Sequence, residues 1–429
     1  MNYIEHVEIK GFWGDKTVSL DFKENENFLI GVNGSGKTTI INLIAASLTA
    51  DFITLDRIEF AKITLSLRNK YDKRKSPKLE VVKEEVKNTP YQRILLRIRS
   101  SHAEEPFEIY LDDLEEERMY RYPSDEYRRR VLLGHRPKDK KDLLFQLDSL
   151  FNVSWLSIHR YKADYKRREE RTHASLVDQK IDQFSNDLIK YLSQLKSLAD
   201  GETDKFQKFI FLSLISVQKK EQLFQVLSSV DVDKEKESLI QIYKLFQLED
   251  SEYKNKLNEY FSEYEKAYKN RKGQTISFKD AEYLLGIKRI HSVVDEWNKL
   301  VSKRQEIYLF RDTFRKVING LLQQKMLIIN EKNELKVETQ SGKVLDLKDL
   351  SSGEKQLVII MGETLLQQSE PHIFIADEPE LSLHIEWQEQ LVDSLKSLNP
   401  NCQILFATHS PDIVSHYSKS VIEIEKFIR

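Results

Sequence analysis

Phe28-Leu29-Ile30-Gly31-Val32-Asn33-Gly34-Ser35-Gly36-Lys37-Thr38-Thr39 runs from a short apolar stretch into a glycine-rich turn and out into helical spacing. Residues 31–38 match the phosphate-loop pattern GxxxxGK[ST] at every fixed position. The chemistry explains the residue types. Glycines let successive backbone N–H groups curl around phosphate oxygens, and a helix N-terminus adds a favourable dipole. Lys37 brings a positive charge to the β- and γ-phosphates, and the Thr38 hydroxyl is suited to Mg²⁺. Asn33, Gly34, Ser35, Gly36, Lys37, Thr38 and Thr39 are therefore expected to line a nucleotide site. Ile40, Ile41, Leu43, Ile44 and Leu48 continue the stretch as a helix with an apolar face.

Three later stretches fit the same chemistry. His372-Ile373-Phe374-Ile375-Ala376-Asp377-Glu378 is a buried strand ending in two acids. Alone it reads equally well as a strand-to-turn corner. Beside a phosphate loop, Asp377 is expected near Mg²⁺ and Glu378 at the attacking water. Leu350-Ser351-Ser352-Gly353-Glu354-Lys355-Gln356 opens a helix, so its N–H groups and hydroxyls form a second phosphate-binding surface, or else a plain cap built on Ser351 or Ser352. Ala407-Thr408-His409-Ser410-Pro411 follows another buried strand, and His409 is placed to hydrogen-bond a γ-phosphate.

Composition narrows the setting. Among 429 residues, 67 Lys+Arg oppose 69 Asp+Glu for a net charge of −2, so no global field draws the chain to nucleic acid or membrane. With 13 Gly and 9 Pro, long helices are favoured over many tight turns. A single cysteine, Cys402, excludes an internal disulfide framework and a cysteine-based zinc site. No apolar run approaches the length of a membrane span, and the N-terminal residues carry Glu5 and Glu8 rather than a signal region, so a cytoplasmic protein is expected.

Periodicity divides the chain. Residues 60–111 alternate with period two and read as an antiparallel sheet. Residues 112–142 are dense in charge, and a strand is expected from residue 153. Residues 174–325 are helical, with stripes at Val177, Ile181, Phe184, Leu188, Tyr191, Leu195 and Leu198, and at Tyr253, Leu257, Tyr260 and Tyr264. Both are read as core of an antiparallel bundle, with an oligomer surface as the alternative. Alternating strands and helices return after residue 325, beginning with a hairpin of Met326 to Ile329 and Leu335 to Val337 around residues 330–333, with later helices expected at 353–368 and 385–398.

The four motifs, in this order, resemble the ABC-type ATPase heads of the SMC, RecF and OLD class. The resemblance covers residues 1–110 and 326–429; between them the chain matches only in carrying a helical insertion. It implies an α/β P-loop head with an antiparallel β lobe near 55–112, divided as 1–170 and 326–429 around an insertion at 171–325. It further implies ATP and Mg²⁺ held between two heads. Lys37, Thr38, Asp377, Glu378 and His409 of one copy would face Ser351, Ser352, Gly353 and Glu354 of the other, and residues 380–384 would communicate between them. The family's Q-loop glutamine falls on neither Gln92 nor Gln146 securely.

The insertion lacks a CxxC hook, and no nuclease domain is expected after His409. What remains resembles the stand-alone ATPases of bacterial anti-phage systems, the AriA type of PARIS first and the PtuA type of Septu and retron systems second. That resemblance implies a homo-oligomeric sensor or scaffold that holds a separately encoded toxic effector, such as a nuclease, and releases it on meeting a phage protein. A RecF-like ATPase binding duplex DNA is the alternative. Its local support is the basic stretch 160–171, with six Lys/Arg and two Tyr, whose plainer reading is a solvated or intersubunit segment. Phe12 and Trp13 lie where some relatives contact adenine; core packing is the other reading.

Overall fold

The computed structural model describes residues 2–72, 76–85, 92–100, 105–114, 140–156, 176–215, 230–271 and 277–429. The charged segment beyond residue 114 and the basic stretch 160–171 lie outside them. The chain divides into two compact units, Met1–Leu188 with Thr313–Arg429, and Ile189–Asp312. Each is taken by itself.

The first unit contains two larger sheets. Strands β1 (Asn2–Phe12), β2 (Lys16–Asp21), β4 (Lys62–Asn69), β5 (Lys78–Glu85), β6 (Gln92–Arg99) and β7 (Phe107–Tyr110) form an antiparallel sheet in the order β2-β1-β4-β5-β6-β7. Their alternation places Ile4, Val7, Ile9, Ile63, Leu65 and Leu67 in one core. The lobe expected at 55–112 is thus larger, because β1 and β2 extend it.

The other sheet is parallel, in the order β14-β3-β13-β12-β8, with β3 (Glu26–Ile30), β8 (Asn152–Leu156), β12 (His372–Asp377), β13 (Cys402–Ala407) and β14 (Val421–Glu423). Strands β12 and β13 are near-continuous apolar runs, as expected where both faces are covered. Helices α1 (Lys37–Thr49), α8 (Ser352–Leu366) and α9 (Ile385–Leu398) alternate with these strands. The buried side chain of Gln403 in β13 pairs with both the N–H and the C=O of Ile4 in β1, tying the parallel sheet to the antiparallel one. A small sheet of β9 (Lys325–Ile329), β10 (Leu335–Thr339) and β11 (Val344–Leu345) confirms the hairpin expected around residues 330–333.

The first turns of α4 (Leu176–Ile215) pack on α8 through the ion pairs Lys355–Asp178 and Lys180–Glu363, at 2.7 Å each, and Lys348–Asp182 at 2.8 Å just before α8. Phe184 sits over Gly362.

The second unit is built from α4 beyond residue 188, α5 (Val232–Leu245), α6 (Asp250–Asn270) and the earlier part of α7 (Phe278–Leu321). Leu239, Tyr253, Leu257, Phe261 and Tyr264 share its core with Trp297. Both stripes are core for most of their length. Ile181 to Leu195 are buried at each seam position, but Leu198 is 60% exposed and Ala199 takes its place at 0%. A straight helix drifts about 20° per heptad against a 3.5-residue repeat, so the buried line moves on by one residue. Tyr260 is likewise only half-buried, and its neighbour Phe261 enters the core. Among the described residues no helix is long and apolar enough to cross a membrane.

A Cβ on Gly362 would overlap the Phe184 ring, which is itself 1% exposed. Alanine gains about 1 kcal/mol of helix propensity, but overpacking costs about 1–3 kcal/mol. Gly362→Ala is therefore expected to lower the melting temperature, and Phe184→Leu in the same chain to restore part of the loss. Calorimetry of the two single variants and the pair checks this.

Candidate nucleotide site

Three parallel strands end side by side and each hands its chain to a motif. From β3 the chain enters the 31–36 loop, from β12 it reaches Asp377 and Glu378, and from β13 it reaches Thr408 and His409. Backbone bonds knit these ends: Thr408 N–H donates to Leu29 O at 3.2 Å, and Glu378 N–H donates to Ala407 O at 2.8 Å.

The loop has the geometry its glycines suggested. Gly34 and Gly36 have φ of 83° and 97°, open to glycine at little cost. A Cβ on Gly31 would lie 2.5 Å from the Glu425 carboxylate. Val32, Asn33, Gly34 and Thr38 are exposed, Gly31, Ser35, Gly36 and Thr39 are half-buried, and Lys37 is buried at the start of α1. Lys37 Nζ donates to Gly31 O at 2.8 Å and Val32 O at 3.0 Å, closing the loop on itself. Burial pushes the Lys37 pKa down, and the nearby Glu425, Glu378 and Asp377 carboxylates oppose that.

Thr38 Oγ1 donates to Asp377 Oδ1 at 3.1 Å, across 339 residues of sequence. A hydroxyl at the start of α1 and a carboxylate at the end of β12, side by side, are the oxygen donors that Mg²⁺ takes beside a triphosphate. The Ser35 hydroxyl is buried with no hydrogen-bond partner among the described residues. These residues fit a magnesium nucleotide.

Glu378 has φ of 49°, an uncommon conformation for a residue with a side chain, and is half-buried beside Asp377. His409 is exposed, and its N–H donates to Glu380 Oε1 at 2.8 Å. Trp13 is 41% exposed and stacks on the buried Phe12 with ring centroids 4.5 Å apart. Its ring would lie 3.1 Å from a Cβ on Gly36, so Phe12 is core and Trp13 overlies the loop.

The 351–354 segment caps α8. Ser351 is the N-cap, and the Glu354 side chain returns to the Ser351 N–H and hydroxyl at 2.8 Å each. Lys325 Nζ adds bonds to both Glu354 oxygens at 2.8 and 2.9 Å. The cap reading thus holds for Ser351 and takes up the Glu354 carboxylate, while Ser352 stays exposed. Gly353 is buried where a Cβ would overlap Ser382 O. None of the hydrogen bonds of residues 351–354 among the described residues reaches the phosphate loop. Gln92 is exposed at the start of β6, and Gln146 is half-buried on α3 (Lys140–Leu150).

Two contributors carry no sequence signal. Glu425 lies about 390 residues from the loop, yet its Oε1 accepts the Val32 N–H at 2.7 Å, and that bond with its own backbone N–H holds its pKa below the usual range. Lys325 is the first residue of the short strand β9 and belongs to no motif.

Residues 3–414 match the model of the AAA ATPase domain family. The retron Vc95 probable ATPase of Vibrio cholerae serotype O1 biovar El Tor is 29% identical over 96 residues, covering 20% of this chain. That match spans 19% of the relative's own length. Among solved structures, the Smc head domain of Pyrococcus furiosus with an extended coiled coil, bound to the C-terminal domain of ScpA, is 16% identical with a TM-score of 0.44, covering 97% of this chain and 92% of that one. The SMC head domain of Thermotoga maritima is 11% identical with a TM-score of 0.34, covering 96% and 91%.

Burial alone raises the Glu354 pKa, but the bonds from Lys325 and Ser351 outweigh it and hold the carboxyl below its ordinary value of about 4.5. A depressed folded pKa contributes stability above the unfolded value, and that contribution is lost as pH falls through the folded one. Glu354→Gln is therefore expected to cost about 1–3 kcal/mol at pH 7. The gap between the two melting temperatures should narrow as pH falls below about 4.5. A gap constant down to the lowest pH at which both fold would contradict this.

Proposed function

The chain belongs to the AAA ATPase domain family, and we propose that it hydrolyses ATP in an ABC-type arrangement, with two copies enclosing the nucleotides between them. The observation that carries this reading is the convergence of Lys37, Thr38–Asp377, Glu378 and the His409 turn on adjoining strand ends. Residues 351–354 make their bonds away from the phosphate loop, which supports a second copy's Ser352 and Gly353 as the groups that complete the site.

In this reading the loop N–H groups cradle the phosphates, and Lys37 exchanges its two carbonyl partners for β- and γ-phosphate oxygens. Thr38, with Asp377 beside it, would hold magnesium, which would supply neutralising charge when bound. Glu378 orients the water for in-line attack from the left-handed turn that follows β12. The His409 ring donates to the γ-phosphoryl group. Catalysis is positioning plus charge stabilisation, as phosphoryl transfer requires. The division into head segments 1–170 and 326–429 around the insertion 171–325 is part of the same proposal.

Lys37→Ala is expected to abolish nucleotide binding or turnover, read by phosphate release and a fluorescent-nucleotide titration. Glu378→Gln is expected to bind ATP but turn it over at under about a hundredth of the wild-type rate, accumulating a nucleotide-bound dimer by size-exclusion chromatography. Wild-type turnover in the Lys37 variant would dismiss the site; in the Glu378 variant, that residue's role.

On the resemblance of its motifs we further propose a role in anti-phage defence, as a homo-oligomeric scaffold that holds and releases a separately encoded effector; the partial match to a retron ATPase supports the defence setting alone. ATP turnover of the purified chain is expected to be indifferent to duplex DNA at moderate salt. Cells carrying the chain with its genomic neighbours are expected to lose protection against phage when Lys37 is replaced. Several-fold stimulation by DNA would turn the reading to a DNA-metabolism ATPase.

A further inference from the structure

The turn after β12 has one carboxylate with no role in the site as proposed. Glu380 Oε1 accepts from the Thr408 hydroxyl at 2.7 Å, the His409 N–H at 2.8 Å and the Ser410 N–H at 3.2 Å. Three donors thus share one oxygen, more than its two lone-pair sites, which gathers the 408–410 turn tightly around it. The receiving turn is closed by Ser410 N–H donating to Thr408 Oγ1 at 2.9 Å, while Ser410 Oγ donates to Gln388 at 2.6 Å. Glu380 is fixed from its own side: its carbonyl accepts the Leu383 N–H at 2.9 Å, and Gln356 donates to Pro379 O at 3.0 Å. Glu378, two residues earlier, belongs to the same turn.

We propose that Glu380 is a positioning residue for hydrolysis: its carboxylate sets the backbone of the 408–410 turn and thereby holds the exposed His409 ring at a fixed distance from Glu378. One short turn then carries the group that orients the water and the anchor of the group that meets the γ-phosphate. Glu380 touches neither water nor phosphate; it acts through His409. The proposal rests on the reading of His409 given above.

The geometry separates reach from charge. Glu380→Gln keeps an acceptor oxygen at the same reach and loses the charge. Glu380→Asp keeps the charge and falls short by one methylene. In the full chain, Glu380→Ala is expected to lower kcat ten- to a hundredfold, as misplacement of a reacting group by about 1 Å does. Affinity for a fluorescent ATP analogue should stay within about threefold. Glu380→Gln should stay within about fivefold of wild-type kcat, and Glu380→Asp should be as slow as alanine. The double variant with His409→Ala should be no slower than His409→Ala alone, because both changes remove one function. An aspartate variant faster than the glutamine variant, or a double variant losing the product of both single losses, would overturn the proposal. If Glu380→Ala melts below the assay temperature, the glutamine–aspartate comparison decides by itself. Wild-type turnover in Lys37→Ala and His409→Ala would instead remove the site reading on which Glu380 depends.

Discussion

The parallel pairing of β3 with β13 is the constraint on which the rest of the structure depends. Ile404 to Ala407 lie opposite Glu26 to Leu29, so two stretches from opposite ends of the chain become neighbouring strands. Because the strands are parallel, their C-terminal ends share one edge, where open α/β sheets bind ligands. With β12 beside β13, the glycine loop, the acid pair and the histidine turn all open onto that edge. Gln403 pins the arrangement from below, since its two buried hydrogen bonds to Ile4 and a third to Lys23 O form only when β13 lies under β1.

Around this edge the backbone is held in conformations that side chains disfavour. Glu378 and Ser382 both have positive φ, and Gly353 is packed against the Ser382 carbonyl where any Cβ would collide. Such conformations cost of order 1–3 kcal/mol each and persist where surrounding bonds over-determine them. Here the determinants are the bond from Glu378 N–H to Ala407 and the donation from Gln356 to Pro379. The 378–384 turn is therefore in contact with all three later motifs: it continues from the acid pair, it abuts the start of α8, and it grips the 408–410 turn.

What could be read from the residues was what is local. The phosphate loop, the strand before it and the helix after it are encoded in one continuous stretch from Glu26 to Thr49, and Ile385–Leu398 shows its helical period directly. The β9–β10 hairpin announces itself by its turn residues. Sheet order did not follow from any such signal, because parallel pairings between β3, β13 and β14 are set by packing across the whole chain. Glu425 and Lys325 stayed hidden for the same reason: each acts on a motif from outside it. At Leu198 periodicity misled, since a seven-residue pattern persists in sequence after the straight helix has rotated it off the core. The alternative carried by residues 160–171 falls outside the described residues, so no geometry bears on it.

The long-range closure of the parallel sheet also dictates an order of events during synthesis. Strand β3 and the loop it feeds are among the first residues made, while β13, their neighbour, is encoded about 375 residues later. At roughly 5–20 residues per second, β3 waits some 20–75 s for that partner. The antiparallel sheet, whose strands lie within residues 2–110, can assemble early. Phe28 and Leu29, fully buried in the finished protein, meanwhile have no lateral partner on either side, since β14 is made later still. The cradle for phosphate is thus a late product of folding, and a nascent chain shortened before β13 would carry every residue of the loop without the surface that shapes it.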